Sequence, residues 1–413
     1  MKNEGAVVIG PAWDSCGSHQ LFKAQIRAFA AMGLETYFLA VVPVLEIAGE
    51  NGEGWWAHYC AMTPDIGASM RGNARFMRVS KYRPALVWGK LAAKRRTQSY
   101  WRTMPARLAD VPESLRDFIR SHHIRGVLCN HYFNLPIAEK IRRWAGGAKV
   151  VCETQDIQSR HMIDSNPTHP LTGAPGDYEL YFRDELRCCE PADEFIHLNQ
   201  EEYAVFQREL PHKTHHLIYP SLPRPPAAPS TPLDVDFLIV ASNNKPNYDS
   251  ICWFLDEIWD HDLNAVARLR IVGNIDAKFR ADNSGYLTRF GDIFVGRVDD
   301  VASWYHRARA VLAPTIDGQG ISIKTIEALS YGRPFVYSPT AVRGFSDYLE
   351  AHELPGLCST AREFKAAIAA RLAPNVDASS REINNAALDV YETLFAPEAY
   401  QEKFQRIFQS RRR

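Results

Sequence analysis

The chain reads as an α/β protein of two doubly wound domains, each a parallel sheet covered by helices. Three observations point there. Apolar runs of strand length alternate with amphipathic stretches of helix length in both halves. A proline-rich stretch, YPSLPRPPAAPSTP (219–232), interrupts the alternation once, near the middle. The 413 residues also exceed what one hydrophobic core ordinarily holds.

In the first half, a strand is expected at 6–9, then the loop GPAWDSCGS and an amphipathic helix over 19–32. Leu21, Phe22, Ile26 and Phe29 share one face of that helix, and Gly33 ends it. A strand at 35–42 completes the strand–helix–strand unit of a parallel sheet. Further strands are expected at 126–130, 150–153 and 195–198. Helices are expected at 136–144, 178–189 and 200–209.

The stretch 219–232 carries almost no charge, and its prolines suit neither a helix nor a central strand. It reads as a stiff linker between a first domain at 1–218 and a second at 233–384. After it the alternation resumes. Strands are expected at 237–241, 269–272, 293–295 and 310–312, and helices at 247–258 and 301–307. One long helix over 381–409 is expected to pack back across both domains, its part from about 385 to 413 onto the first.

Bulk properties exclude some classes. Hydrophobic residues make up 46% and charged residues 23%, and the formal net charge is zero. Nothing global suggests a nucleic-acid partner. No apolar run has the length of a membrane span, and the N-terminus lacks a signal-peptide layout. The eight cysteines, at 16, 60, 129, 152, 188, 189, 252 and 358, are scattered without a CxxC pair. They read as reduced thiols of a cytoplasmic protein.

The most informative stretch is APTIDGQGISIKTIEALSYGRPFVYSP (313–339). A strand ends, a glycine loop follows, and a helix runs from about Ser322 to Ser330, stopped by Gly332 and Pro334. A helix N-terminus presents unpaired N–H groups and partial positive charge. Glycines let an anion approach such backbone closely. Gly318, Gly320, Ile321 and Ser322 therefore suit a phosphate, and Glu327 suits a hydroxyl beyond it. A nucleotide offers both. Equally, Gly-Gln-Gly is a plain turn and Glu327 a solvated acid. The pattern is neither a Walker A loop nor GxGxxG.

With Lys-x-x-Glu-Ala-Leu and Tyr-Gly-Arg-Pro-Phe-Val, this stretch resembles the donor-site signature of GT-B glycosyltransferases of family 4. FVGRVDDVASWYHRARAVLAP (294–314) and ASNNKPNYDSICWFLDEIW (241–259) resemble the flanking parts of the same family. ETQDIQSR (153–160) and PADEFIHLNQEEYAVF (191–206) are similar to segments of its first domain. The resemblance implies two Rossmann-like domains facing a cleft. The second would hold a nucleotide-diphosphate sugar, and the first a glycan, lipid-linked or similar acceptor.

Residue by residue, the resemblance implies that Glu327 holds the donor ribose. The family's second glutamate, which touches the donor sugar, falls on Gln319. Gln319 bonds hydroxyls but brings no charge to a developing cation. Lys245, with Asn243 and Asn244, is expected to hold the diphosphate. Lys324 either joins it or pairs with Glu327 on the helix surface. Gly17, with Ser18 and His19, opens the first helix near the donor phosphates, and His19 also reads as an acceptor contact. The family's usual histidine after the 150–153 strand falls on Gln155. Asp156 and His131 remain to orient the acceptor, or Asp156 caps the next turn.

The family's retaining transfer needs no strong base, because the leaving diphosphate helps deprotonate the acceptor. The protein then works by positioning and charge stabilisation. Neither a metal nor a cofactor is expected. Asp234-Val235-Asp236 matches a DxD metal motif but sits at the linker's end, before a buried strand, and no zinc spacing occurs.

From Arg71 to Arg107 eleven basic residues run without an acid, interleaved with Phe76, Tyr82, Trp88, Tyr100 and Trp101. This segment reads as a contact for anionic lipid headgroups or as a solvated basic face. The sequence thus points to a metal-independent glycosyltransferase of polysaccharide or glycoconjugate biosynthesis. A non-catalytic sugar-nucleotide binder and a sugar-nucleotide epimerase are the alternatives.

Overall fold

The computed structural model describes residues 2–11, 17–41, 106, 111–165, 176–227, 232–373 and 383–409. The basic segment lies outside them, apart from Ala106. Two compact units emerge, Met1–Ser221 with Tyr400–Arg413, and Leu222–Ala399. The change of unit falls inside the proline-rich stretch.

In the first unit β1 (Asn3–Pro11), α1 (Gly17–Ala31) and β2 (Glu35–Val41) form the opening βαβ. After α2 (Glu113–Ser121) come β3 (His122–Asn130), α3 (Leu135–Trp144) and β4 (Lys149–Glu153). Then α4 (Gln158–Ser165), α5 (Tyr178–Cys189), β5 (Glu194–His197), α6 (Gln200–Glu209) and β6 (Thr214–Leu217) follow. All six strands pair in parallel, in the order β2-β1-β3-β4-β5-β6. β1 is buried from Gly5 onward, as expected of a strand covered on both faces.

In the second unit β7 (Val235–Val240), α7 (Lys245–Glu257), α8 (His261–Val266) and β8 (Leu269–Val272) lead to α9 (Ile275–Asp282) and α10 (Gly285–Phe290). β9 (Phe294–Gly296), α11 (Val301–Arg307), β10 (Ala308–Ala313), α12 (Ile323–Ser330) and β11 (Phe335–Tyr337) follow. Helices α13 (Ser346–Ala351), α14 (Ala361–Arg371), α15 (Asn385–Leu394) and α16 (Pro397–Gln409) close the chain. The sheet is parallel, in the order β11-β10-β7-β8-β9. Phe237, Phe254, Trp259, Ile271 and Phe279 lie at its core.

The strand order reverses between β7 and β10. Ligands of open α/β sheets sit outside the carboxyl ends of the strands at such a switch point. The loops after β7 and β10 therefore flank the place where topology puts a site. In the first sheet the corresponding place lies between β1 and β3.

The single helix expected over 381–409 is two. Pro397 starts α16 and has no N–H to continue a ladder, and it disfavours helical backbone at Ala396. α15 stays with the second unit, where Asn384 N–H donates to Gly332 O at 2.8 Å. Gly332, at φ 56°, ends α12, and a Cβ there would lie 2.7 Å from Leu388. From Tyr400 the chain belongs to the first unit, where Phe404 and Phe408 set their rings 4.9 and 4.8 Å from Phe29.

Candidate functional site

The loop after β7 runs Ala241–Asn244 into α7. Asn244 caps that helix, its side chain accepting from Asn247 N–H at 2.9 Å. Asn243 N–H is tied to Asn274 Oδ1 at 2.8 Å. Lys245, the expected diphosphate ligand, lies on the exposed side of α7 and pairs with Asp249 one turn on. The mobile stem of a lysine allows it to leave that partner, but here it faces its own helix.

The loop after β10 is fixed where it leaves the sheet. Ile316 N–H donates to Ser250 Oγ at 3.1 Å, and Ser338 Oγ donates to Thr315 O. Gly318 and Gly320 follow at φ 141° and 63°. At Gly318 the conformation calls for glycine, and a Cβ would lie 2.8 Å from the Arg343 guanidinium, the movable end of a long side chain. Arg343 donates to Gln319 O and to Thr340 O, each at 2.9 Å. Ser322 then caps α12, accepting from Thr325 N–H.

Lys324 and Glu327 belong to the first turns of α12. Lys324 Nζ donates to Ser242 Oγ at 2.8 Å, so its side chain bridges the two loops at the switch point. Burial lowers its pKa, with Glu327 opposing. Burial raises the Glu327 pKa, against the Lys324 ammonium and the Tyr305 hydroxyl. Tyr305 OH donates to Glu327 Oε2 at 3.5 Å, and its ring stacks on Tyr331 at 4.3 Å. A cavity of about 50 Å³ is lined by Ala241, Asn247, Ser250, Tyr305, Ser322 and Lys324, among others. The structure thus brings together Asn244, Gly318, Gly320, Ile321, Ser322, Lys324 and Glu327. Helix-terminal donors, a cation and a carboxylate in this order offer places for an anion and a hydroxyl.

The first-unit candidates are placed differently. Gly17, Ser18 and His19 form the first turn of α1, described by backbone alone. His131 follows β3 at φ 62°, buried, its ring stacked on Phe133 at 4.8 Å. Gln155 is also buried, at φ 66°, and its amide donates to Asn130 Oδ1 at 2.9 Å and Glu153 Oε1 at 3.1 Å. Gln155 therefore belongs to an internal network in which Asn130 also joins Gln25 at 2.8 Å. Burial raises the Glu153 pKa to about 7. Asp156 accepts from the Gln158 side chain. At the start of α4, Glu185 receives Gln158 N–H at 3.1 Å and Ser159 N–H at 2.7 Å.

Sequence reasoning missed Ser242, Tyr305 and Arg343. Ser242 stands between Ala241 and Asn243 in sequence, and nothing local ties it to Lys324, 82 positions away. The DxD aspartates are engaged in ion pairs. Asp234 takes both arms of Arg307, at 2.7 and 2.6 Å, and Asp236 joins Arg268 and Arg309 at 3.3 and 3.2 Å. Among the described residues no group of three His, Cys, Asp or Glu is placed to hold a metal ion, and no helix is long and apolar enough to cross a membrane. Six of the cysteines are described, all as free thiols.

Two parallel doubly wound sheets, with a capped glycine-loop helix at the switch point of the second, define the class: the fold is GT-B. Residues 234–373 match the model of the family described as glycosyl transferases group 1. Solved structures agree on the fold. HepE (Alr3699) of Anabaena, in complex with UDP and glucose, aligns at TM-score 0.62 and 13% identity over 99% of this chain and 100% of that one. The E. coli trehalose-6-phosphate protein bound with UDP-2-fluoro glucose aligns at 0.61 and 11%, over 99% and 100%. The pneumococcal O-GlcNAc transferase GtfA, in complex with UDP and GlcNAc, aligns at 0.58 and 11%, over 98% and 99%. The comparison with curated proteins gives no match. The family match covers about a third of the chain, and the likeness to the solved structures shows the fold.

Proposed function

We propose that this chain transfers a hexose from a nucleotide-diphosphate sugar to an acceptor hydroxyl, without a metal and with retention of anomeric configuration. The observation that carries the reading is the loop–helix junction Gly318–Ser322, with Lys324 bridged to Ser242 and Glu327 further along the same helix. The diphosphate takes the N–H groups at the start of α12 and the Lys324 charge, and the ribose takes Glu327. Catalysis then rests on holding the leaving diphosphate in a field already oriented for its charge. In this reading Gln319 is the second unit's residue for the transferred sugar, and Asp156, His19 and His131 are the first unit's residues for the acceptor, whereas Gln155 is engaged in the buried network with Asn130 and Glu153. The acceptor is a glycan or lipid-linked saccharide of polysaccharide or glycoconjugate synthesis, and the Arg71–Arg107 segment suits the anionic surface such a lipid occupies.

Because the three solved relatives above hold UDP or a UDP-sugar analogue, uridine nucleotides are the first donors to try. A thermal-shift screen against UDP-, GDP-, ADP-, CMP- and dTDP-sugars tests donor binding, since a ligand of the native state raises Tm. Release of the nucleotide with an added acceptor then tests transfer. Nucleotide binding with neither transfer nor hydrolysis across the panel favours a non-catalytic binder, the second reading, which the neutral Gln319 supports. Formation of an epimer from a UDP-sugar alone would point to the epimerase alternative instead.

A further inference from the structure

Arg343 lies outside every motif above, on the turn that follows β11, yet it holds the glycine loop. Its guanidinium packs against the bare face of Gly318, where a Cβ would be 2.8 Å from Nη2 and 3.1 Å from Cζ. Nη2 donates to Gln319 O and Nη1 to Thr340 O, each at 2.9 Å. One planar group therefore ties the loop after β10 to the turn after β11. A lysine cannot copy this, because it offers one point charge in place of a rigid fork.

The consequence concerns the Gln319–Gly320 peptide. In a trans peptide the carbonyl and the following N–H point in opposite directions. With its carbonyl held by Arg343, this peptide turns the Gly320 N–H away from the guanidinium. Gly320 sits two residues before the Ser322 cap, so the orientation of that donor decides whether it joins the first N–H groups of α12.

We propose that Arg343 is a positioning residue for the donor site: it fixes the Gln319–Gly320 peptide so that the Gly320 N–H is presented to the donor's diphosphate. Arg343 touches the loop, and its effect on the donor passes through it. This rests on the donor reading given above.

The test compares wild type with Arg343→Lys, Arg343→Gln and Arg343→Ala in the full chain. UDP affinity is read by calorimetry. Amide exchange of peptides covering 316–322 is read without ligand. Expected are UDP affinity at least tenfold weaker in the Ala and Gln variants, faster exchange in the loop, and an intermediate Lys variant. Millimolar guanidinium should restore part of the affinity to Arg343→Ala and none to Glu327→Ala, a rescue that general destabilisation would not show. If Arg343→Ala does not fold, the Lys and Gln variants decide. Unchanged exchange and affinity within twofold of wild type would overturn the proposal, as would lost affinity with an unmoved loop. Wild type that binds neither UDP, GDP nor ADP would overturn the donor reading instead, and the exchange comparison would still decide whether Arg343 holds the loop.

Discussion

Replacing Glu327 separates a binding carboxylate from a structural one. Glu327 is partly buried on α12, with Lys324 in its vicinity and the Tyr305 hydroxyl 3.5 Å from Oε2. Its pKa lies above the ordinary value even with that cation and hydroxyl counted, so at neutral pH the fold disfavours the charge overall. Glu327→Gln keeps the shape and one acceptor oxygen while removing the charge. The unliganded variant should melt no more than about 2 °C below wild type, or above it, since less than about 1 kcal/mol is at stake. Binding should move the other way. A hydrogen bond from a ribose hydroxyl to a carboxylate contributes roughly 1.5–3 kcal/mol, which corresponds to a roughly tenfold to hundredfold weaker UDP affinity. Glu327→Ala should bind more weakly still. The pH dependence follows from the same shift. The carboxylate form is needed for the ribose, so UDP affinity should fall as pH drops through the raised Glu327 pKa, and Glu327→Gln should not show that fall. Calorimetry with UDP at several pH values, beside melting curves, reads all of this. A Glu327→Gln variant that binds UDP as wild type does, or that loses its fold, would refute the reasoning.

Other outcomes follow from the same contacts. Lys324→Met should weaken UDP binding about tenfold or more, and Ser242→Ala by a smaller factor, because Ser242 acts by holding Lys324 Nζ at 2.8 Å. In the double variant the two effects should not add, and a calorimetric cycle that found additivity would separate the two residues. In the first unit Glu153 is fully buried with its pKa raised to about 7. Its protonated form therefore stabilises the fold below the unfolded value near 4.5, and that contribution is lost as pH rises through about 7. Glu153→Gln should remove on the order of 2–3 kcal/mol of the stability difference between pH 5 and pH 8, read by denaturant unfolding; an unaltered pH dependence would contradict it. Trp259 is fully buried in the second core, with its indole N–H on Asn264 at 3.0 Å. Trp259→Ala should lower stability by about 3–5 kcal/mol, measured by the same unfolding.

The sequence showed the sheets more clearly than the short helices. Strands such as Leu269–Val272, and helices such as Tyr178–Cys189 and Val301–Arg307, are bounded where apolar patterning alone sets them. β6 escaped because Thr214–Leu217 reads as polar. Its His215 is a strand residue that stacks on Phe195 at 5.4 Å and accepts or donates at 2.9 Å to His197, a neighbour no local pattern reveals. The short helices α8, α9 and α10 run one to two turns, too short for an amphipathic period to stand out. The site was legible where backbone chemistry made it so, at Gly318, Gly320 and the Ser322 cap. It was not legible where it depends on distant chain. Ser242 meets Lys324 across 82 positions, and Arg343 reaches Gln319 across 24. Gln155, which in sequence stands where the resembling family has a histidine, has its partners Asn130 and Glu153 in a buried network that no local pattern reveals.

The central claim is that the start of α12 holds the diphosphate of a nucleotide sugar. A crystal structure of the protein with UDP tests it most directly. The account requires the diphosphate oxygens within hydrogen-bond distance of the backbone N–H groups between Gly320 and Ile323, Lys324 Nζ beside them, and the ribose hydroxyls on Glu327. A nucleotide bound elsewhere, or one whose diphosphate leaves that turn untouched, would contradict it.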